Sequence, residues 1–441
     1  MKKVIRHGII LLLIIVMLTT LLSGCTSKQT GAQPIKLTVW INAKDSYISA
    51  SEQKKPQDEW YISQAIKRFE AQNPNVTIEL VLQSDALQAH QTFKTAGLAG
   101  NAPDIANLWT GQFIFPLKDV MTPINNYIPK EDLENIMGWD TVTLDFKEGG
   151  PIFGYPVPDN QMCFFLYNKK IIKDCGLDFD NNPPRTKDEF LADMQIIKSK
   201  GYTPMVADEG AGYPYYFFYI AAYWWVQETG KEQILLENNG QAKFADDQGL
   251  IDALNLYHEI YARGYMNQDA ATSADSWSKF LNGTVAMYPA TSFMVSDAQA
   301  ALGEDNVGAM LPPEISGNAK IKNSLIGGPG QCLVVSKDCK NVEMAVKFLS
   351  FLNSKPEVLK WYQVQMRVPV RKDISASDLN LKPSSVGYKM LTWSKNYVYW
   401  VDNSLSPWVV DDFNKLLPLV LVGKMSPEDF AKQIDKDKIQ H

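Results

Sequence analysis

The side chains best suited to chemistry in this sequence are aromatic rings, amides and carboxylates placed where predicted strands end. Trp40 and Asn42 close the first predicted strand, and Trp109 closes the third. Asp159 and Asn160 follow a pair of prolines between two predicted globular halves, where ligand sites often form. Ring planes combined with hydrogen-bonding groups suit a polar solute that has apolar C–H faces and hydroxyl groups. These residues therefore predict solute binding.

Two further candidates are the adjacent tryptophans, Trp224 and Trp225. Neighbouring side chains point in different directions on a helix or a strand, so we expect one ring in the core and the other at the site. Arg367 is a candidate polar contact, with a surface charge or an ion pair as the alternative. Trp40 could instead be a core residue, and Asp159 could cap a turn. Asp45 and Asp85 are weaker candidates.

No residue pattern predicts catalysis or metal binding. The four histidines are scattered along the chain, at positions 7, 90, 258 and 441, and none lies in a metal-ligand or catalytic-triad pattern. The sequence contains no Gly-x-Ser-x-Gly, no His-Glu-x-x-His and no phosphate-binding loop. We therefore predict no catalytic residue, no metal and no cofactor.

The elements that position these residues form β-α-β units. Residues 35–41 alternate apolar and polar side chains as a strand does, residues 60–71 have helical spacing, and residues 76–82 form the next strand. A further helix over 89–99 leads to a third strand at 104–109. This order predicts a parallel sheet, and ligands bind beyond the carboxyl ends of such strands.

Residues 154–169 are predicted to cross between two lobes. Pro156 and Pro158 exclude a central strand, whereas residues 162–167 have the composition of a buried strand. Residues 326–335 and 367–370 are predicted as the second and third crossing segments. Three crossings favour a bending hinge over a loose linker.

Composition excludes one class of function. The chain has 441 residues, a formal charge of −6 and a pI of about 5.4, and no basic block beyond its N-terminus. The chain is therefore unsuited to binding nucleic acid through contacts with phosphate groups. We expect the four cysteines after position 25 to be free buried thiols, with two disulfides as the alternative; they are Cys163, Cys175, Cys332 and Cys339.

The N-terminus predicts export. Basic residues precede an apolar stretch over 9–18 that is short for a membrane span. The following Leu-Leu-Ser-Gly-Cys resembles the bacterial lipobox, which implies cleavage before Cys25 and a diacylglycerol on its thiol. We predict a signal peptide over 1–24, a tether over 25–34, and a protein held outside the cell membrane by this anchor.

Short motifs spread in order over nearly the whole chain resemble the family 1 extracellular solute-binding proteins of ABC importers, the maltose-binding-protein-like group. They include Asn-Pro-Asn-Val at 73–76, Gly-Asn-Ala-Pro-Asp-Ile at 100–105, Gly-Tyr-Pro-Val-Pro at 154–158 and Asn-Gly-Thr-Val-Ala-Met at 282–287. The resemblance implies an α/β clamp of two lobes, each a mostly parallel sheet flanked by helices, joined by two or three crossings. Lobe 1 would comprise 35–157 and 328–366, and lobe 2 would comprise 158–327 and 367–441.

The resemblance also implies a function and two more site residues. Phe293 resembles a position where the family often carries Trp, and Trp408 lies near the place of a stacking Trp. The implied protein is a monomer that captures a carbohydrate between its lobes and delivers it to the membrane subunits of an ABC permease. The alternatives are a surface-anchored glycan-degrading enzyme and a solute sensor that signals to a membrane kinase.

Overall fold

The computed structural model describes residues 33–42, 47–49, 51–84, 86–210, 213–317 and 319–438. Residues 1–24, Cys25, most of the tether, Asp45 and Asp85 lie outside this part of the chain. Within it, no helix is long and apolar enough to cross a membrane.

Eleven strands are present in the described residues, and most lie close to where alternating or apolar runs predict them. In chain order they are β1 (Ile35–Asn42), β2 (Val76–Gln83), β3 (Ile105–Trp109), β4 (Gly154–Pro156), β5 (Gln161–Asn168), β6 (Thr203–Met205), β7 (Val285–Thr291), β8 (Val307–Met310), β9 (Ile326–Gly328), β10 (Gln331–Val335) and β11 (Val398–Tyr399).

The α-helices of the described residues cover the faces of the sheets. In chain order they are α1 (Tyr61–Gln72), α2 (Ala86–Leu98), α3 (Lys130–Asn135), α4 (Lys169–Asp174), α5 (Lys187–Ser199), α6 (Ala222–Thr229), α7 (Lys231–Asn238), α8 (Gln248–Ala262), α9 (Ser276–Leu281), α10 (Val295–Leu302), α11 (Val342–Leu352), α12 (Lys355–Gln365), α13 (Val386–Trp393), α14 (Val401–Ser404), α15 (Pro407–Leu421) and α16 (Pro427–Lys438).

The strands form two sheets, which confirms the two-lobe α/β fold. The first sheet has the order β2-β1-β3-β10-β4, and the second has the order β11-β9-β5-β7-β6 with β8 also paired to β5. Both sheets are mixed, whereas mostly parallel sheets were expected. In the first, β1 is parallel to β2 and β3, but β10 is antiparallel to its two neighbours. The difference arises because β10 enters from the other lobe instead of through a β-α-β crossover.

Strand β5 shows why its sequence lacks alternation. Phe165 and Tyr167 point into one hydrophobic core, and Phe164 and Leu166 point into a second core on the other face. A strand covered on both faces carries a continuous apolar run, as predicted for residues 162–167. This strand is the centre of the second lobe.

The three predicted crossing segments lie side by side. The backbone N–H of Val157 donates to the carbonyl of Gln331 over 3.2 Å, and that of Asn160 donates to Val368 over 2.7 Å. Asp159 forms an isolated bridge with Pro369. Because β4, which contains Pro156, is an edge strand, its proline removes no ladder hydrogen bond from the sheet interior. Backbone pairing therefore joins the three crossing segments to one another.

Candidate functional site

A cavity of about 250 Å³ lies where the carboxyl end of the first sheet meets the second lobe. Six of its lining side chains are aromatic, and most of the others are amide or charged groups. The lining residues are Trp109, Gln161, Tyr213, Tyr215, Tyr219, Phe293, Gly330, Gln331, Arg367, Trp400, Asp402 and Asn403.

The first sheet contributes Trp109 at the end of β3. Its backbone N–H donates to Nε2 of His90 over 2.9 Å, and its ring meets Phe113 edge to face at 4.9 Å between centroids. Gln331, at the start of the antiparallel neighbour β10, pairs with Trp109 in the ladder. The sheet register therefore places a half-buried ring and an amide side by side at one wall of the cavity.

The second lobe contributes an aromatic wall from residues 213–221. Tyr215 and Tyr219 line the cavity with their ring centroids 5.3 Å apart, while Tyr216 is buried in the core. A single turn of π-helix, Phe217–Ala221, follows Tyr216. Such turns are rare and often occur at functional sites. Within residues 215–219 the inner rings are therefore core residues, whereas these two tyrosines line the cavity.

The start of this aromatic segment is held by Glu209. Its carboxylate accepts hydrogen bonds from the backbone N–H of Tyr216 at 2.6 Å and of Phe217 at 3.3 Å, and from the hydroxyl of Tyr257 at 2.5 Å. Burial raises the pKa of Glu209 to about 7, although these bonds act in the opposite direction. The aromatic wall is thus tied to the core by a titratable group.

The segment that follows β11 connects the two lobes. The Asn403 amide donates to Oγ1 of Thr110 at 3.0 Å and to the carbonyl of Gly330 at 3.1 Å, both beside the first sheet. The Trp400 indole N–H donates to the carbonyl of Gly328 at 3.1 Å. These contacts bring Trp400 and Asn403 against the cavity.

An ion pair lies at the base of the cavity. Nη1 of Arg367 is 3.0 Å from Oδ2 of Asp159, whose side chain is fully buried. The Gln161 amide donates to the same oxygen at 3.1 Å, and the Arg367 guanidinium lies 5.5 Å from the ring centroid of Phe293. Asp159 therefore positions Arg367 and Gln161, both of which line the cavity.

Asp402 is the one carboxylate among the described lining residues. Its Oδ2 accepts a hydrogen bond from the hydroxyl of Tyr213. Burial raises the pKa of Asp402 to about 6, and the Tyr213 bond opposes this rise. The cavity therefore combines aromatic planes, amides, one paired cation and one buried acid.

The structure brings together four predicted site regions and leaves others apart. Trp109, Phe293 and Arg367 line the cavity, and Asp159 lies directly behind it. Trp40 packs beside a core of the first lobe, and Asn42 is buried with its amide 3.3 Å from Oδ1 of Asn107. Asn160 is buried with its amide 3.5 Å from the carbonyl of Ser394, and Trp408 packs against the large core of the second lobe. None of these last four lines the cavity.

The expectation that Trp224 or Trp225 faces the site is wrong for both rings. Both are 0% exposed, and their indole N–H groups donate to the carbonyl of Pro313 and to Asp247, respectively. Helix α6 is enclosed on several sides, with α8 among its neighbours, so adjacent positions are both interior. The position of a residue in a helix shows which face it lies on. It does not show which faces are covered by other parts of the protein.

The sequence did not predict most of the cavity residues that the second lobe contributes. The signal for Trp400, Asp402 and Asn403 was a short aromatic run followed by polar residues just before Ser-Pro at 406–407, where α15 begins. For Tyr213, the nearest signal was the aromatic density that follows Gly210.

The expected free thiols are confirmed, since all four described cysteines are free and buried. No group of three or more His, Cys, Asp or Glu side chains suited to a metal occurs among the described residues.

The chain is similar in sequence and in structure to known solute-binding proteins. The sequence model of the family described as bacterial extracellular solute-binding protein matches residues 64–383. The multiple sugar-binding protein of Streptococcus mutans serotype c is 22% identical over 80% of this chain and 80% of its own length. The sn-glycerol-3-phosphate-binding periplasmic protein of Escherichia coli is 21% identical over 69% of this chain and 70% of its own length. A solved chitin oligosaccharide binding protein, 21% identical, has a TM-score of 0.75 over 92% of this chain and 98% of that chain.

Proposed function

The chain belongs to the bacterial extracellular solute-binding protein family, and on this basis we propose that it captures a carbohydrate between its lobes and delivers it to an ABC permease. The observation that carries the proposal is the composition of the cavity. Aromatic rings line both sides, and amides and charged groups lie between them. A sugar offers apolar C–H faces to rings and hydroxyls to polar groups, so it matches both features. Relatives named for sugars and chitin oligosaccharides support this choice.

The mechanism we propose is a two-state closure. An open form admits the solute, and the closed form buries it and is recognised by the permease. The solute stabilises closure only by touching both lobes, and Trp109 and Tyr219 supply rings from opposite sides. Bending would occur at the paired crossings, with lobe 1 comprising 35–157 and 328–366 and lobe 2 comprising 158–327 and 367–441.

We also propose that the mature protein is a monomer anchored through lipid on Cys25. A Cys25→Ser variant would then leave the membrane fraction for the soluble one. Its continued sedimentation with membranes would contradict the anchor.

The carbohydrate proposal is tested by titrating the purified protein with maltotriose, cellotriose, xylotriose and diacetylchitobiose while following Trp fluorescence and heat release. We expect saturable binding of at least one saccharide without turnover. Binding of a different solute class alone, or release of shortened sugars, would contradict the proposed function.

A further inference from the structure

We propose that Asp402 determines the class of solute, by requiring a saccharide that donates a hydrogen bond from a neutral hydroxyl or an amino group and by rejecting saccharides that are acidic. This inference rests on the proposed carbohydrate function. It goes further because it names the group that discriminates between uncharged and anionic solutes.

The first argument is the unused hydrogen-bonding capacity of Asp402. This residue is 7% exposed and lines the cavity, and the Tyr213 hydroxyl occupies its Oδ2. Within the part of the chain that the structure describes, Oδ1 has no hydrogen-bond partner. Buried acceptors without partners are rare and costly. A hydroxyl or ammonium group of the solute would satisfy this oxygen.

The second argument is the charge balance of the cavity. Arg367 and Asp402 are the charged side chains among its described lining residues. Arg367 already faces Asp159 at 3.0 Å, so its positive charge is compensated within the protein. The charge of Asp402 has no such counterpart, which leaves the cavity with net negative charge. A phosphate or carboxylate on the solute would be repelled and would lose solvation.

The groups that face Asp402 reinforce this balance. Tyr213 donates its hydroxyl to Asp402, and Tyr219, Tyr399 and Cys163 lie within electrostatic range of it; burial raises the pKa of each above its usual value. All four are uncharged near neutral pH, so none compensates the carboxylate. Asp402 therefore supplies the uncompensated charge beside a bound solute. Its ionised form is the better acceptor of a hydrogen bond from that solute.

The experiment compares wild type, Asp402→Asn and the exposed control Asp411→Asn. Calorimetric titrations use the best-binding neutral member of the saccharide panel, digalacturonic acid and sn-glycerol 3-phosphate. We expect wild type to bind the neutral saccharide and neither acid. We expect Asp402→Asn to weaken neutral binding at least tenfold and Asp411→Asn to leave it unchanged.

A second measurement needs no variant. Wild-type affinity for the neutral saccharide should weaken as pH falls from 7.5 to 5, because protonation of Asp402 removes its negative charge and makes it a weaker acceptor. Unchanged affinity across this range, equal affinity of Asp402→Asn and wild type, or preferred binding of either acid would overturn the inference. Preferred binding of digalacturonic acid would do so while leaving the carbohydrate function intact. Absence of binding by every saccharide would refute the proposed function, and the inference with it.

Discussion

Replacing Gly111 by alanine should selectively weaken lobe closure. Gly111 follows β3 with a φ of +64°, and a Cβ there would lie less than 3.0 Å from the backbone oxygen of Asn403 in the other lobe. The same Cβ would lie 3.2 Å from the Phe146 ring. Relief of this overlap requires Asn403 to move away from the first lobe.

The size of the effect follows from two hydrogen bonds between the lobes. Moving Asn403 breaks its hydrogen bonds to Thr110 and Gly330, at 3.0 and 3.1 Å. Two buried hydrogen bonds contribute about 2 kcal/mol together. If the empty protein is mostly open, this loss appears in full as weaker solute binding, by about 30-fold.

Gly100→Ala is the matched control. Gly100 has a φ of +71°, so alanine there carries the same left-handed strain of about 1–2 kcal/mol, but no atom lies within 4 Å of its added Cβ. Both variants should unfold at lower denaturant concentration than wild type. Only Gly111→Ala should lose affinity for the saccharide that the wild type binds, as measured by calorimetric titration. Equal affinity of the two variants would refute the closure argument.

Four other substitutions separate structural from binding roles. Arg367→Met should lower the free energy of unfolding in urea by about 3–5 kcal/mol, because it leaves the buried Asp159 carboxylate without its cation. Glu209 has a pKa of about 7, above its usual 4.5. Its contribution to stability is therefore present below pH 4.5 and lost as pH rises through 7, and Glu209→Gln should flatten the fall in unfolding free energy between pH 5 and 8. Trp109→Ala should weaken saccharide binding about tenfold, whereas Trp224→Ala should cost about 3–5 kcal/mol of stability.

Each comparison has an outcome that contradicts it. The double variant Asp159→Asn/Arg367→Met should recover part of the stability lost in Arg367→Met, and no recovery would argue against the ion pair. A Glu209→Gln protein with an unchanged pH profile would assign the slope to other buried acids, such as Glu237, whose pKa burial raises to about 8. Unchanged sugar affinity in Trp109→Ala would remove that ring from the site.

The lobes and crossings were predictable because they depend on local pattern and on segment order. Residues 35–41 alternate, and β1 spans Ile35–Asn42. Thr186 and Glu189, three positions apart, form a capping box at the start of α5, Lys187–Ser199. The position of Trp109 at the end of a strand made it a candidate, and its ring lines the cavity, while its contact with a solute stays a prediction. Such features involve neighbours in sequence, which the sequence shows directly.

The cavity residues contributed by the second lobe were not predictable in the same way. The rings of Trp224 and Trp225 are of the type that stacks against sugars, but helices distant in sequence cover both rings. Trp400 and Asp402 have unremarkable local surroundings, and they reach the cavity through contacts with Gly328 and Tyr213. Burial and partner choice are properties of packing between segments far apart in the chain.

The sequence by itself therefore determined the class of protein and its two α/β lobes, and it predicted the kinds of residue expected at the site. Only the tertiary structure decided which aromatic rings face the cavity, that Arg367 is already paired with Asp159, and that Asp402 retains an unsatisfied oxygen among the described residues. The physical reason is that periodicity records which residues can be buried, whereas long-range packing decides which of them are.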